Sequence, residues 1–187
     1  QPVFQHAPST SVGDVTLAPS DQDIVWVGTG EANIFRSSMA GCGVYKSVNG
    51  GKDWEHMGLT DTHTIPRIIV HPSDPDIVYA AASGREWTAN PQRGVYKTTD
   101  GGKTWEKILY VDEMTGAIDL VMDPSDPRVL YAAFWQRVRK KWNDPRNEPG
   151  YTGSGIYKTA DGGRSWKPVN RGLPPAPHRG RIGIDLC

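Results

Sequence analysis

Two carboxylates stand early in loops of matching position: Glu31 in Gly28-Thr29-Gly30-Glu31 and Glu86 in Ser83-Gly84-Arg85-Glu86-Trp87. Glycoside hydrolysis commonly uses two carboxyl groups about 5–9.5 Å apart, one as acid and one as base or nucleophile. Neighbouring loops could offer that separation, with Arg85 or Arg67 keeping one carboxylate ionised. The alternative is that each Glu anchors its own loop through backbone N–H groups. Asp112 and Glu113 are weaker candidates of the same kind. A third loop carries Trp135-Gln136-Arg137-Val138-Arg139-Lys140-Lys141-Trp142, four cations between two indoles. Indoles stack on sugars and guanidiniums grip acidic groups, so Arg85, Trp87, Trp135, Arg137 and Trp142 are candidate ligand-binding residues. The other reading is a solvated loop whose indoles pack back on the scaffold.

Other chemistries find no support. His6, His56, His63, His71 and His178 lack metal-ligand spacing, so no metal is expected. No nucleotide loop or nucleophile elbow occurs, and no cofactor is expected. Twenty-one Lys+Arg balance 21 Asp+Glu, which argues against a nucleic-acid partner. No apolar run approaches the roughly 20 residues of a membrane span. Cys42, in a Gly-Cys-Gly loop, and Cys187 are too few for a disulfide scaffold.

The elements that hold these loops repeat. Gly43-Val44-Tyr45-Lys46 through Trp54 is matched by Gly94-Val95-Tyr96-Lys97 through Trp105, and by Gly155-Ile156-Tyr157-Lys158 through Trp166. A second element recurs in step: an apolar triplet, a Pro-Ser-Asp turn and another apolar run. Its copies are Val15-Thr16-Leu17, Ile68-Ile69-Val70 and Leu120-Val121-Met122, each followed by the turn. One unit is therefore strand, turn, strand, variable loop, strand, Gly-Gly turn and a strand opening at Trp. Twenty-one Gly and 15 Pro among 187 residues supply the turns.

Four antiparallel strands in about 50 residues make one β-propeller blade. The expected fold is all-β, with three four-stranded antiparallel blades over 15–62, 63–116 and 117–172. Residues 1–14 would supply the last strand of a preceding blade, and 173–187 the first strand of a following one. Such a partial ring leaves strand edges open, so either further blades or self-association is expected to cover them. The Pro-Ser-Asp and Gly-Gly turns fall on one rim. The variable loops fall on the other, the usual place for function on a rigid scaffold.

Thr98–Trp105 and Thr159–Trp166 match Ser/Thr-x-Asp-x-Gly-x-Thr/Ser-Trp and so resemble the Asp-box, or BNR repeat. Ser47–Trp54 departs twice, with Asn49 and Asp53, and a looser turn is expected there. The pattern resembles bacterial glycosyl hydrolase-like and sortilin (VPS10)-like propellers, whose functions differ on one fold. The resemblance implies that Asn49, Asp100, Asp161, Trp54, Trp105 and Trp166 are scaffold. It implies a carbohydrate-active rim, or a non-catalytic platform for protein or peptide, and an extracellular or periplasmic location. Sialidase activity is not expected, because Ile65-Pro66-Arg67-Ile68 does not keep that family's Arg-Ile-Pro order.

Overall fold

The computed structural model describes residues 3–9, 11–33, 39–137 and 153–186. The first sheet holds β1 (Val12–Ala18), β2 (Asp21–Thr29), β3 (Val44–Ser47) and β4 (Glu55–His56). The second holds β5 (Arg67–Val70), β6 (Val78–Ala82), β7 (Gly94–Thr98) and β8 (Glu106–Leu109). The third holds β9 (Thr115–Met122), β10 (Leu130–Gln136), β11 (Gly155–Thr159) and β12 (Lys167–Pro168). In each, consecutive strands pair antiparallel in sequence order. The chain is an all-β partial propeller of three four-stranded blades.

Two apolar cores lie between the blades, and strand β6 shows why. Its alternate residues point to opposite faces. Val78 and Ala80 join Trp26, Val44, Ile65 and Ile68 in the core shared with the first blade. Tyr79 and Ala81 join Leu120, Leu130, Ala132 and Phe134 in the core shared with the third. Both faces of the middle blade are therefore dry, and β6 reads as a continuous apolar run rather than an alternating one.

A polar stitch on the innermost strands joins the blades. Asp14 Oδ2 accepts from the Ile68 backbone N–H at 2.7 Å. The equivalent carboxylate two blades further, Asp119, accepts from Arg67 Nε at 3.0 Å and from the Ile184 N–H at 3.0 Å. A carboxylate accepting backbone N–H groups satisfies donors that the sheet ladder leaves over.

The Gly-Gly turns close alike in all three blades. Ser47, Thr98 and Thr159 hydroxyls accept from the N–H groups of Gly51, Gly102 and Gly163 at 2.8, 2.9 and 3.0 Å. Thr104 Oγ1 donates to Asp100 at 2.6 Å and Ser165 Oγ to Asp161 at 2.6 Å. In the first blade Asn49 Nδ2 donates to Asp53 Oδ2 at 2.9 Å. The two departures are one exchange of donor for acceptor, and the turn is not looser as the sequence led us to expect. At Gly102, φ is +94° and a Cβ would sit 2.7 Å from the Trp26 ring, so no larger residue fits.

The Trp after each turn faces the preceding blade. Trp105 lies edge-on to Trp26, and its Nε1 donates to Met57 O at 2.7 Å. Trp54 donates in the same way to Val3 O at 2.7 Å. Val3 thus takes the place that Met57 holds one blade on. Residues 3–9 and 181–186 add no hydrogen-bonded strand to the three sheets, because the terminal strands of a blade pair only within that blade.

Candidate functional site

The loop between β6 and β7 is organised by Arg93, which is 2 % exposed. Its guanidinium donates to the carbonyls of Met114 (2.7 Å), Thr88 (3.2 Å) and Arg85, and to Asn90 Oδ1 (3.1 Å). A planar fork of five donors suits a loop that presents several carbonyls at once. Burial pushes the Arg93 pKa down to about 10, so the group is still charged at neutral pH. The sequence reading missed Arg93. Its only mark is an arginine just before Gly94-Val95-Tyr96, where the other copies have Cys42-Gly43 and Ser154-Gly155.

That loop delivers Glu86 to the third blade. Glu86 Oε1 and Arg137 Nη2 meet at 2.8 Å, with side chains 5 % and 13 % exposed. The Arg137 guanidinium also lies 4.4 Å from the centre of the Trp135 ring. Arg67 is engaged elsewhere, with Asp119. Arg67, expected with Arg85 as a possible neighbour of one carboxylate of the pair, is thus held by Asp119, and Glu86 meets Arg137.

Glu31 has a local role. Its Oε2 accepts from the Met39 N–H at 3.2 Å, while its own N–H donates to Met39 O at 3.1 Å. Asp112 likewise accepts from the Met114 N–H at 2.7 Å and Thr115 Oγ1 at 2.8 Å, closing the turn before β9. Glu113 contributes its backbone carbonyl, which accepts from the Asn90 N–H at 2.8 Å. Trp142 lies outside the described residues, as do Arg139, Lys140 and Lys141.

Two adjoining cavities share Gly84, Arg85 and Glu86. One, of 220 Å³, is lined also by Met39, His63, Thr64 and Trp87. Burial, and then the Arg85 charge, push the His63 pKa down, so its imidazole is neutral at pH 7. The other is a slot of 20 Å³ that adds Trp135, Arg137, Arg93 and Arg181. Trp87 is 48 % exposed. Four of the five predicted ligand-binding residues thus line one rim region, and the slot beside Glu86 is lined by four arginines, of which Arg137 pairs with its carboxylate. Among the described residues no group of His, Cys, Asp and Glu could hold a metal ion.

These features define a propeller whose blades are stitched through turns on one rim and open into a cation-rich cleft on the other. A model of the Sortilin-Vps10 family, described as sortilin, neurotensin receptor 3, matches residues 42–174, and the chain belongs to that family. It is similar to xyloglucanase Xgh74A of Acetivibrio thermocellus, with 28% identity over 114 residues, 56% of this chain and 12% of that protein. It is also similar to vacuolar protein sorting/targeting protein 10 of Aspergillus clavatus, with 34% identity over 90 residues, 46% of this chain and 5% of that protein. Among solved structures, an ancestral GH74 enzyme shares the fold at TM-score 0.65 and 20% identity, over 97% of this chain and 20% of that one. The chain therefore spans a small part of the proteins it resembles. Among the described residues no helix is long and apolar enough to cross a membrane.

Proposed function

We propose that the variable-loop rim of the second and third blades binds a carbohydrate chain, with Trp87 and Trp135 as its stacking platforms. The observation that carries this is the placement of two indoles on adjoining cavities that share Arg85 and Glu86. Indole faces suit the apolar faces of sugar rings, while guanidiniums and a carboxylate suit hydroxyls. Support also comes from the likeness to a protein named as a xyloglucanase.

Binding is favoured over turnover. A general acid or nucleophile needs a carboxyl available to the reacting bond. Glu86 is engaged with Arg137, and Glu31 with the Met39 N–H. Both carboxylates have positioning roles that account for them. An exported location fits a glycan ligand.

Titration calorimetry with xyloglucan oligosaccharides tests the proposal. Saturable binding is expected, weakened at least tenfold by Trp87→Ala or Trp135→Ala, with no release of reducing ends. No binding to any of a panel of neutral oligosaccharides would overturn it.

A second reading, a platform for acidic peptides, rests on the four arginines that line the slot and on the family membership. Saturable binding of an acidic peptide, lost on Arg85→Ala and indifferent to both Trp substitutions, would favour it.

A further inference from the structure

The opposite rim, where the turns lie, carries a charge difference between two otherwise equivalent grooves. In the groove between the first and second blades, Lys46 stands over the Trp26 ring at 5.0 Å. It donates to Gly101 O at 3.3 Å and faces the Asp76 carboxylate at 3.8 Å. In the next groove Lys97 stands over Tyr79 at 5.2 Å and donates to Gly162 O at 2.9 Å. The residue in Asp76's place there is Arg128. His71 also replaces Ala18. The attraction that closes the first groove becomes a gathering of cations in the second.

Lys97, Arg128, Arg164 and His71 line a cavity of 350 Å³ together with Asp161. The Asp161 oxygens are turned into their own loop. Oδ1 accepts from Thr159 Oγ1 at 2.7 Å and from the Ser165 N–H at 2.9 Å, and Oδ2 from Ser165 Oγ at 2.6 Å. Asp126 takes Arg128 Nε and Nη2 at 2.9 and 2.8 Å, but its counterpart Asp74 is present at the first groove as well. Glu106 opposes Lys97 across the ladder just as Glu55 opposes Lys46. These acids are common to both grooves and do not remove the difference.

We propose that this second groove is an oxyanion site, in which Lys97, Arg128 and Arg164 bind a sulfate or phosphate group. A tetrahedral oxyanion offers acceptors to a point-charge ammonium and to forked guanidiniums together. Burial, and then Arg164, disfavour the Lys97 ammonium. A bound anion offsets both effects. The site lies on the rim away from the candidate glycan surface, so it stands or falls separately.

The test is a titration of the full chain with inorganic sulfate, inorganic phosphate and dextran sulfate, at ionic strength held constant with chloride. The readout is the backbone amide shifts of Lys97, Gly162 and Arg164. Saturable shifts in both inorganic titrations are expected. Arg128→Asp, which restores the charge found at Asp76, should weaken them at least tenfold while the fold is kept, and Arg164→Gln should weaken them several-fold. The converse change, Asp76→Arg, should add a second set of saturable shifts at Lys46 and Gly101. Dextran sulfate binding more than tenfold tighter per sulfate than the free ion identifies an ester group on a polymer as the preferred source. Equal affinity identifies the free ion. Shifts no larger than those in chloride alone, or an Arg128→Asp variant that binds like the parent, would overturn the proposal.

Discussion

Glu86 and Arg137 belong to loops of different blades and meet at 2.8 Å, sheltered from solvent. Their union makes the rim cleft a property of two blades at once, since neither loop alone places the carboxylate, the guanidinium and the Trp135 ring together. A shielded pair of this kind contributes little as a whole, but losing one partner strands the other. Glu86→Leu is therefore expected to lower stability by about 3–5 kcal/mol. The double variant Glu86→Leu/Arg137→Met should recover most of that loss. Urea unfolding of the three proteins decides it. Additive losses would show that the two side chains act separately.

The exchanged donor and acceptor in the first turn give a sharper test of coupling. Asn49→Asp sets two carboxylates against each other where Asn49 Nδ2 now donates to Asp53, and should cost about 1 kcal/mol. Asp53→Thr leaves the Asn49 amide a weaker acceptor. Together the two changes rebuild the arrangement of Asp100 and Thr104, so the double variant should be as stable as the parent. Strict additivity in the cycle would remove this account of the turn.

Asp119 serves the Arg67 guanidinium and the Ile184 N–H simultaneously. Asp119→Ala should cost about 2 kcal/mol, since it leaves donors without acceptors. The Ile184 amide should exchange with solvent far faster. An unchanged exchange rate at Ile184 would mean that something else holds residues 181–186 in place.

The turn carboxylates set an acid limit. Hydrogen bonds from Thr104 to Asp100, and from Ser165 to Asp161, hold both groups well below the usual carboxylate range. A group whose pKa is depressed on folding stabilises the fold above its unfolded value, about 3.9, and loses that contribution as pH falls through the folded value. Stability should therefore decline below about pH 4 and keep declining well past it. Thr104→Val and Ser165→Ala should flatten that decline. Carboxyl NMR titration checks it, and a midpoint near 3.9 for Asp100 would contradict it.

Much of the architecture was legible because it recurs. A chance likeness does not place Tyr-Lys, Gly-Gly and Trp in register three times, and each copy fixes the strands on either side of it. The rim was legible as a location only. Glu31 and Glu86 looked equivalent by loop position, but one bonds within its loop and the other crosses to the next blade. That choice depends on Arg137, 51 residues away. Asp14 and Asp119 were legible in principle as carboxylates preceding the first apolar run of their units. The repeat is marked by its apolar residues, and a carboxylate beside such a run carries no sign of the N–H group it will meet on another blade. Arg93 carries its loop through backbone carbonyls, and carbonyls leave no trace in sequence.

The lysines that stand over a ring and reach the next Gly-Gly turn carry a final consequence. Lys46 reaches one blade forward to Gly101, and Lys97 one blade forward to Gly162. Each contact joins one blade to the next and no further, so unfolding should propagate as in a one-dimensional array of coupled neighbours. Damage in the third blade would be felt in the second and fade before the first. The cooperativity of these three blades is then set by the strength of the junctions between them, and loosening one would turn a single melting transition into two.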